Sequence, residues 1–383
     1  MTMRILLFQN VIPTYRAAMF RSLACGSADE VTVVSGRSSP DKLKLADDIF
    51  FDELNIRETP IRYWRLPNGQ RASFQPGALS IARAMRPDAI VVQGGPYELT
   101  SWLLMLWGRL TGTPVIAWTI GLQRRETGLK WRLRKFFFGR AKGLLLYGDY
   151  PARLLAESGI DARRMHVIYN SLDLAGQREA AARIDPVDIA ALRDDMGIGA
   201  ATPVFIFIGR LVARKRLPVA IEAIGMLRTR GIDAHLLFIG DGEDRARLEQ
   251  VSRDYGLADR IHFRGAIYDE QQIANHMAIA QAAIIPEAGL PIIHPMAYGV
   301  VPVISDDIER HGTEWEAVIE GTTGCFFKDD DAVDLADCLA RLVADPAETK
   351  RIGEAARKLA FERYGAEAHA GRIVEGVRKF AAA

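Results

Sequence analysis

The stretch "PVFIFIGRLVARKRLPVAIEAIGMLR", residues 203–228, decides the fold. It opens with an apolar strand that ends at Gly209-Arg210. A basic turn comes next, and then Leu217, Ala220, Ile221, Ile224 and Leu227 recur on one helical face. Pro218 stands near the start of that helix, where its missing N–H costs little. Strand, charged turn and amphipathic helix together make the building unit of a parallel α/β sheet.

The alternation extends in both directions. Upstream strand candidates are "RILLFQ", "EVTVVS", "DAIVVQ", "TPVIAWT", "GLLLYG" and "MHVIYN"; downstream ones are "AHLLFIG", "RIHFRG", "AAIIPE", "VVPVIS" and "TGCFFK". Helical segments separate most of them. In "DRARLEQVSRDYG", Leu248, Val251 and Tyr255 align on one face, and Gly256 suits the C-terminal cap. The stretch from "GRSSPD" to "RYWRLP" reads mostly as loop. After Asn170 the composition turns charged, Ala-rich and strand-free, which marks an interdomain connector with a lead-in helix. The chain therefore reads as α/β, two doubly wound Rossmann-like domains in tandem. The first spans 1–175 and the second 200–364, with a C-terminal helix at about 365–383 that packs back on the first. A length of 383 residues suits two such cores.

Composition narrows the function classes. Apolar residues make up 49%, charged residues 25%, and net charge is +1, so no global field draws the chain toward nucleic acid or membrane. Cys25, Cys325 and Cys338 are widely spaced and form no C-x-x-C, which predicts three buried thiols in a reducing cytoplasm. The N-terminal "MTMRILLFQN" reads as a first strand rather than a signal peptide. No run approaches the roughly 18 apolar residues of a membrane span.

In open parallel sheets, ligands bind beyond the carboxyl ends of the strands. Glycines and charges gather there: Gly209-Arg210, "GDG" from Gly240, "RGA" around Gly265, and "EAGL" from Glu287 to Leu290. Free amides of Ala288, Gly289 and Leu290 at a helix start, beside Arg210 and Lys215, suit a diphosphate. The alternative for "ARKR" is a solvated basic turn. There is no G-x-x-x-x-G-K-[ST], "GDGEDR" lacks the third Gly of a dinucleotide fingerprint, and no H-E-x-x-H occurs. "DDD" at 329–331 reads as a helix cap rather than a metal site.

These landmarks, in this order, resemble the family-four retaining glycosyltransferases of the GT-B fold. The resemblance covers most of the chain and is strongest from 203 to 305. It rests on "FIGRLVARKRLPVAIEAIGML", "LLFIGDGEDRARLEQVSRDYGLADRIHFRGAI", "MAYGVVPVI" and "VIYNSLD". The resemblance implies two Rossmann-like domains facing across a cleft. It implies transfer of a sugar from a nucleotide-diphosphate donor, UDP or GDP type, with retention and no required metal or other cofactor. The acceptor would be a saccharide or lipid-linked saccharide in surface polysaccharide or glycolipid assembly. Glu287, Arg210 and Lys215 would act catalytically, and the backbone of Gly265, Ala266 and Ile267 would meet the base. The family carries two glutamates with seven residues between them. Glu287 fits the first, which neighbours the donor sugar, with a one-residue contraction before Gly289-Leu290 that leaves six residues between it and the second position. At the second, which holds the ribose, stands His294; its other reading is a satisfied, half-buried histidine. Pro291 and Pro295 cannot both sit in one regular helix, so a shifted helix start is expected.

The N-terminal half departs too, since Ile120-Gly121 replace a His that many relatives carry after the corresponding strand. The expected acceptor wall is Asn10, Tyr15, Arg16, Gly94, Gly95, Thr119 and Gln123; Tyr15 and Arg16 could instead anchor the first helix. Residues 124–142 hold eight cations and one acid, Glu126. Leu129, Leu133, Phe136 and Phe137 share one helical face there, with Trp131 and Phe138 on another. That suits either an anionic membrane surface or an amphipathic helix packed on its sheet with a solvated basic face. Nucleic acid is not expected as a partner. The location implied is cytoplasmic, with a peripheral place at the inner face of the membrane. A sugar-nucleotide epimerase of the same fold, or a non-catalytic donor-binding subunit, are the rival readings.

Overall fold

The computed structural model describes residues 2–40, 44–54 and 56–382, so Met1 and Ala383, the outer limits of the expected domain ranges, lie outside it. The chain divides into two compact units, one formed by Met1–Asp173 with Tyr364–Ala383 and the other by Leu174–Arg363.

In the first unit the strands are β1 (Arg4–Gln9), β2 (Glu30–Ser35), β3 (Arg57–Glu58), β4 (Arg62–Arg65), β5 (Arg71–Phe74), β6 (Ala89–Gln93), β7 (Val115–Thr119), β8 (Gly143–Leu146) and β9 (Met165–Val167). All but β4 and β5 join one parallel sheet in the order β3-β2-β1-β6-β7-β8-β9. β4 and β5 form an antiparallel hairpin, Tyr63 opposite Ser73. Successive residues of a strand point to opposite faces. Ile5 and Leu7 therefore join one core with Phe20, Trp118, Ile373 and Val377, while Leu6 and Phe8 join the other with Ile90, Leu104 and Phe137. Both faces are buried, which is why these strands read as unbroken apolar runs.

The helix Ala366–Ala382 closes the first of those faces. It approaches the sheet closely: a Cβ on Gly376 would lie 2.7 Å from the His166 ring. His369, fully buried on this helix, has its Nδ1 2.8 Å from Ser171 Oγ.

The second unit contains β10 (Val204–Ile208), β11 (His235–Ile239), β12 (Ile261–Gly265), β13 (Ala282–Ile285), β14 (Val301–Ser305) and β15 (Cys325–Phe327). They form one parallel sheet ordered β12-β11-β10-β13-β14-β15. The helix Pro218–Thr229 covers it with Leu217, Ala220, Ile221, Ile224 and Leu227 all in the core, the face read from the sequence.

Four expectations change. Residues 174–199 are not a free connector: helices Ala175–Ala182 and Pro186–Asp195 belong to the second unit. Gln271 donates to the Ala180 carbonyl (3.2 Å), and Arg264 pairs with Asp195 (2.9 Å). The stretch expected to be mostly loop holds the helix Asp48–Glu53 and the strands β3 and β4. Cys25 is exposed, whereas Cys325 and Cys338 are buried. Tyr255 is exposed as well, one residue before Gly256, whose positive φ of 65° ends the helix Arg245–Asp254.

Candidate active site

In the second sheet the order of the strands reverses at β10 and β13. One run goes from β10 out to β12, the other from β13 out to β15. The crevice at the carboxyl ends of such a neighbouring pair is where an open α/β sheet binds its ligand. The loop after β10 runs from Gly209 to Lys215, and the loop after β13 from Pro286 to Leu290.

Bare backbone makes the loops of this edge fit together. Gly209 donates to the Ile239 carbonyl (2.9 Å), Gly240 to Gly265 (2.7 Å), and Leu211 to Asp241 (3.0 Å). Gly209 and Gly240 have φ of 145° and 146°, a region side chains rarely enter. A Cβ on Gly240 would overlap the Gly209 carbonyl oxygen, and one on Gly242 the Leu211 carbonyl oxygen. Glycine is thus required here for the turns after β10, β11 and β12 to interlock.

Lys215 ends a short 3-10 turn, Ala213–Lys215. Its Nζ donates to the Glu287 backbone carbonyl at 2.8 Å and lies 4.0 Å from the Glu287 carboxylate. The Lys215 side chain is 16% exposed, and burial holds its pKa below the usual lysine value against the opposing pull of Glu287. Arg214 binds the Glu287 carboxylate directly. Arg210 behaves differently: it is 80% exposed and lies 3.6 Å from Glu243, outside this cluster. The second cation beside Glu287 is therefore Arg214, which belongs to the "ARKR" turn.

The expected anion cradle at "EAGL" is also revised. The two prolines split this region into a 3-10 turn, Leu290–Ile292, and a five-residue helix, Ile293–Ala297, too short for an appreciable macrodipole. The Ala288 amide is already used: it donates to His311 Nδ1 at 2.9 Å. That bond fixes the tautomer, since His311 Nε2 must then donate to the Ser305 carbonyl, 2.8 Å away. Burial keeps the His311 imidazole below its usual pKa and so neutral. Gly289 and Leu290 retain amides without an intramolecular partner among the described residues. A Cβ on Gly289 would meet nothing nearer than Pro291 Cδ at 3.9 Å, leaving that side open.

His294 lies half-buried on the short helix, with Nε2 2.8 Å from Glu270 Oε1. Tyr298, one turn on, donates its hydroxyl to the same oxygen. Burial would raise the Glu270 carboxyl, but the bonds from His294 and Tyr298 outweigh it and hold Glu270 below the usual glutamate range. Glu270 is the first residue of the helix Glu270–Ile279, whose cap is Asp269, in the turn that carries Gly265, Ala266 and Ile267. A carboxylate thus reaches the His294 position from another element, and its Oε2 has no partner among the described residues. Of the "DDD" run, Asp331 caps the helix Ala332–Ala344, while Asp329 pairs with Arg216 (2.8 Å). Among the described residues, no group of three or more His, Cys, Asp or Glu could hold a metal ion.

In the first sheet the order reverses at β1 and β6. Asn10 comes directly after β1, and Gly94-Gly95 after β6. The Asn10 amide donates to Gln93 Oε1 (3.1 Å) and its side chain to Glu98 Oε2 (3.0 Å); Ser73 binds the same oxygen. A cavity of about 290 Å³ lies here, lined by Asn10, Tyr63, Arg71, Ser73, Gln93 and Glu98. Gly94 serves close packing, since a Cβ there would lie 2.6 Å from the Thr119 Cβ; a Cβ on Gly95 would meet Glu98 at an ordinary 3.4 Å.

Other members of the expected acceptor wall do not line this cavity. Thr119 is buried and accepts from the Gly121 amide (3.2 Å), and Gln123 is exposed elsewhere on the surface. Arg16 turns inward among the Tyr15, Trp118 and Tyr147 rings, all within about 5.5 Å, and donates to the Tyr147 hydroxyl at 2.6 Å. It anchors the first helix; Tyr15 is part of that cluster. Glu98, Ser73 and Arg71 have no counterpart in the sequence reading, two of them because the hairpin that brings them in lacks a strand signature.

Two doubly wound α/β units, each with polar side chains gathered at a strand-order reversal, define the GT-B class of fold. Two family descriptions match: "Glycosyl transferases group 1" over residues 188–359 and "Glycosyl transferase 4-like domain" over residues 12–171. The chain belongs to the group 1 glycosyltransferases. It is 27% identical over 253 residues to an alpha-D-kanosaminyltransferase of Streptomyces kanamyceticus, covering 65% of this chain and 62% of that protein. It is 29% identical over 201 residues to a GDP-mannose-dependent phosphatidylinositol monomannoside mannosyltransferase of Mycolicibacterium smegmatis, covering 50% and 51%. The chain thus spans between half and two thirds of these curated relatives. Among solved structures, Anabaena HepE in complex with UDP superposes with a TM-score of 0.70 at 19% identity, covering 98% of this chain and 99% of that one, a likeness in fold.

Proposed function

We propose that this chain transfers a sugar from a nucleoside-diphosphate donor, UDP or GDP type, to a saccharide or lipid-linked acceptor, with retention of configuration, in surface polysaccharide or glycolipid assembly. The second unit holds the donor and the first supplies the acceptor site. The observation that carries this reading is the partly buried Lys215 amine beside Glu287 at the strand-order reversal, with two unused amides next to it.

The difficult event is departure of the nucleoside diphosphate as positive charge grows on the sugar. Lys215 and the Gly289 and Leu290 amides meet the negative charge that develops on the leaving oxygen. Preorganised donors help most when that charge is greatest, which is the condition for catalysis. Arg210, long and exposed, swings from Glu243 onto a distal phosphate oxygen. Glu287 faces the sugar, positioning it and balancing the oxocarbenium charge; for this, donor binding displaces Arg214 from its carboxylate. Gly265, Ala266 and Ile267 offer backbone groups to the base, and the ribose hydroxyls are held by Glu270 with His294 behind it. At the first unit, Asn10, Ser73 and Glu98 bind acceptor hydroxyls, with Glu98 a hydrogen-bond acceptor beside the nucleophile. No described helix is long and apolar enough to cross a membrane, which suits a peripheral place at the inner face of the cytoplasmic membrane.

The test is incubation with a panel of nucleotide sugars, with and without membrane lipid extract. Acceptor-dependent release of nucleoside diphosphate is expected. An isomerised nucleotide sugar would instead identify an epimerase, and binding without turnover a donor-binding subunit.

A further inference from the structure

The helix Gly128–Arg140 does not pack as an amphipathic helix should. It buries Phe137 and Phe138 and turns Leu129, Leu133 and Phe136 to solvent; Leu129 is 79% exposed. The neighbouring helix Leu99–Thr111 does the same with Leu106 and Leu110, the latter 78% exposed. The two are joined through Trp102, whose ring lies 5.8 Å from Phe136 and 5.0 Å from Phe137. Exposed leucines and a phenylalanine on adjoining helices make one apolar surface, which a soluble domain ordinarily avoids.

The charges around it divide into two sets. Arg125 pairs with Glu157, Lys130 and Arg134 with Glu126, and Lys135 bonds the Ser158 carbonyl. Arg124, Arg132, Arg140, Lys142 and Arg109 have no acidic partner among the described residues. Three of these, Arg109, Arg140 and Lys142, line a groove of about 710 Å³ at the amino ends of β7 and β8, together with Arg163 and Arg164. No acid lines it. Arg164 is committed to the fold, since it donates to the Phe138 (2.9 Å) and Gly139 (3.3 Å) carbonyls at the end of the helix; Arg163 pairs with Asp161. Arg140 stacks over Phe136, its guanidinium 4.3 Å from the ring centre, so the groove and the apolar surface are continuous.

We infer that this face is a docking surface for an anionic phospholipid bilayer. The groove takes a lipid phosphate between Arg109, Arg140 and Lys142, while Leu106, Leu110, Leu133 and Phe136 enter the acyl boundary. The occupant is set by complementarity: uncompensated cations require anions, and the bare leucines beside them require hydrocarbon, a pairing that an anionic membrane interface offers. The groove lies at the opposite end of the first sheet from Asn10 and Glu98, so docking leaves the proposed acceptor cavity open. This deepens the lipid-facing part of the proposed function and rests on it.

The test is sedimentation of the full chain with vesicles of phosphatidylcholine alone or mixed with phosphatidylglycerol. Each basic side chain near an anionic surface contributes about fivefold to partition. The variant Arg109→Gln/Arg140→Gln/Lys142→Gln should therefore lose on the order of 100-fold on the mixed vesicles, and high salt should release the parent. Leu110→Gln/Phe136→Gln should also weaken binding, with little change in salt sensitivity. Nucleotide-induced thermal shift in each variant, equal to the parent's, confirms an intact fold and donor site. Equal binding to neutral vesicles, unchanged partition of the triple variant, or capture of glycerol phosphate in solution without vesicle binding would each overturn the inference. Turnover with a soluble acceptor but no vesicle binding would end the docking proposal alone; vesicle binding without any turnover would end the transfer reading alone.

Discussion

Replacing Glu270 tests the proposed donor site at its least legible point. Its carboxylate accepts from His294 Nε2 and the Tyr298 hydroxyl, both part-buried. Glu270→Ala strands both partners. A buried polar group without its partner costs about 1–3 kcal/mol, so the loss in unfolding free energy should be about 2–4 kcal/mol, with His294 and Tyr298 still partly hydrated. Glu270→Gln keeps an acceptor oxygen and should cost about 1 kcal/mol. The functional effect is separable. If Glu270 holds the ribose, Glu270→Gln should weaken uridine or guanosine diphosphate by about tenfold, the worth of one charge-assisted hydrogen bond. It should leave the 2′,3′-dideoxy nucleotides unchanged. Titration calorimetry with the four ligands measures both. An equal loss for ribo- and dideoxy-nucleotides would refute the ribose assignment and leave Glu270 a structural partner of His294. Protonation should act like the substitution. Because the folded pKa of Glu270 is depressed, the stability it provides is present above the ordinary glutamate pKa and is lost as pH falls through the folded value.

The backbone, a histidine pair and the proposed acceptor cavity offer further tests. Gly240→Ala should cost more than about 2 kcal/mol in urea unfolding, because φ is 146° and the new Cβ overlaps the Gly209 carbonyl, whereas Gly256→Ala, with φ of 65° and open space, should cost about 1 kcal/mol. The His235 ring stacks on His262 at 5.1 Å, with Nδ1 2.8 Å from His262 Nε2, and burial next to this neighbour pushes its pKa down to about 4. Its imidazole resonance should show no protonation until near that pH. Since the unfolded chain takes up the proton nearer 6.5, stability should decline as pH drops from there toward 4. Glu98→Gln should lower turnover while leaving nucleotide affinity intact, as measured by calorimetry beside initial rates; a parallel loss of nucleotide binding would remove Glu98 from the acceptor side.

The strands and the glycine-bearing turns are readable because burial on both faces leaves an apolar run and a βα turn leaves its glycine. Gly209, Gly240 and Gly265 stand where that logic puts them, at neighbouring strand ends. The β3–β5 strands escape because two to four residues such as "RYWR", half-exposed and charged, carry no periodicity. The helices at 175–195 resemble a connector because their contacts, such as Gln271 with Ala180, lie 91 residues away in sequence. The chemistry of the site is hardest to read for the same reason. Arg214 meets Glu287 across 73 residues, His311 meets Ala288 across 23, and Glu270 meets His294 across 24. A linear pattern can mark His294 as unusual; only the packing of two helices shows the carboxylate beside it. Helix 128–140 makes the opposite point, since its apolar stripe is visible in the sequence but not that the stripe faces out.

The central claim is that Lys215, with the amides of Gly289 and Leu290, stabilises the departing diphosphate. The direct measurement is the rate of acceptor-dependent nucleoside diphosphate release by Lys215→Met beside the parent at saturating donor. Loss of one such preorganised donor should lower kcat by roughly 100- to 1000-fold with donor affinity changed far less. A kcat within about threefold of the parent would contradict the account.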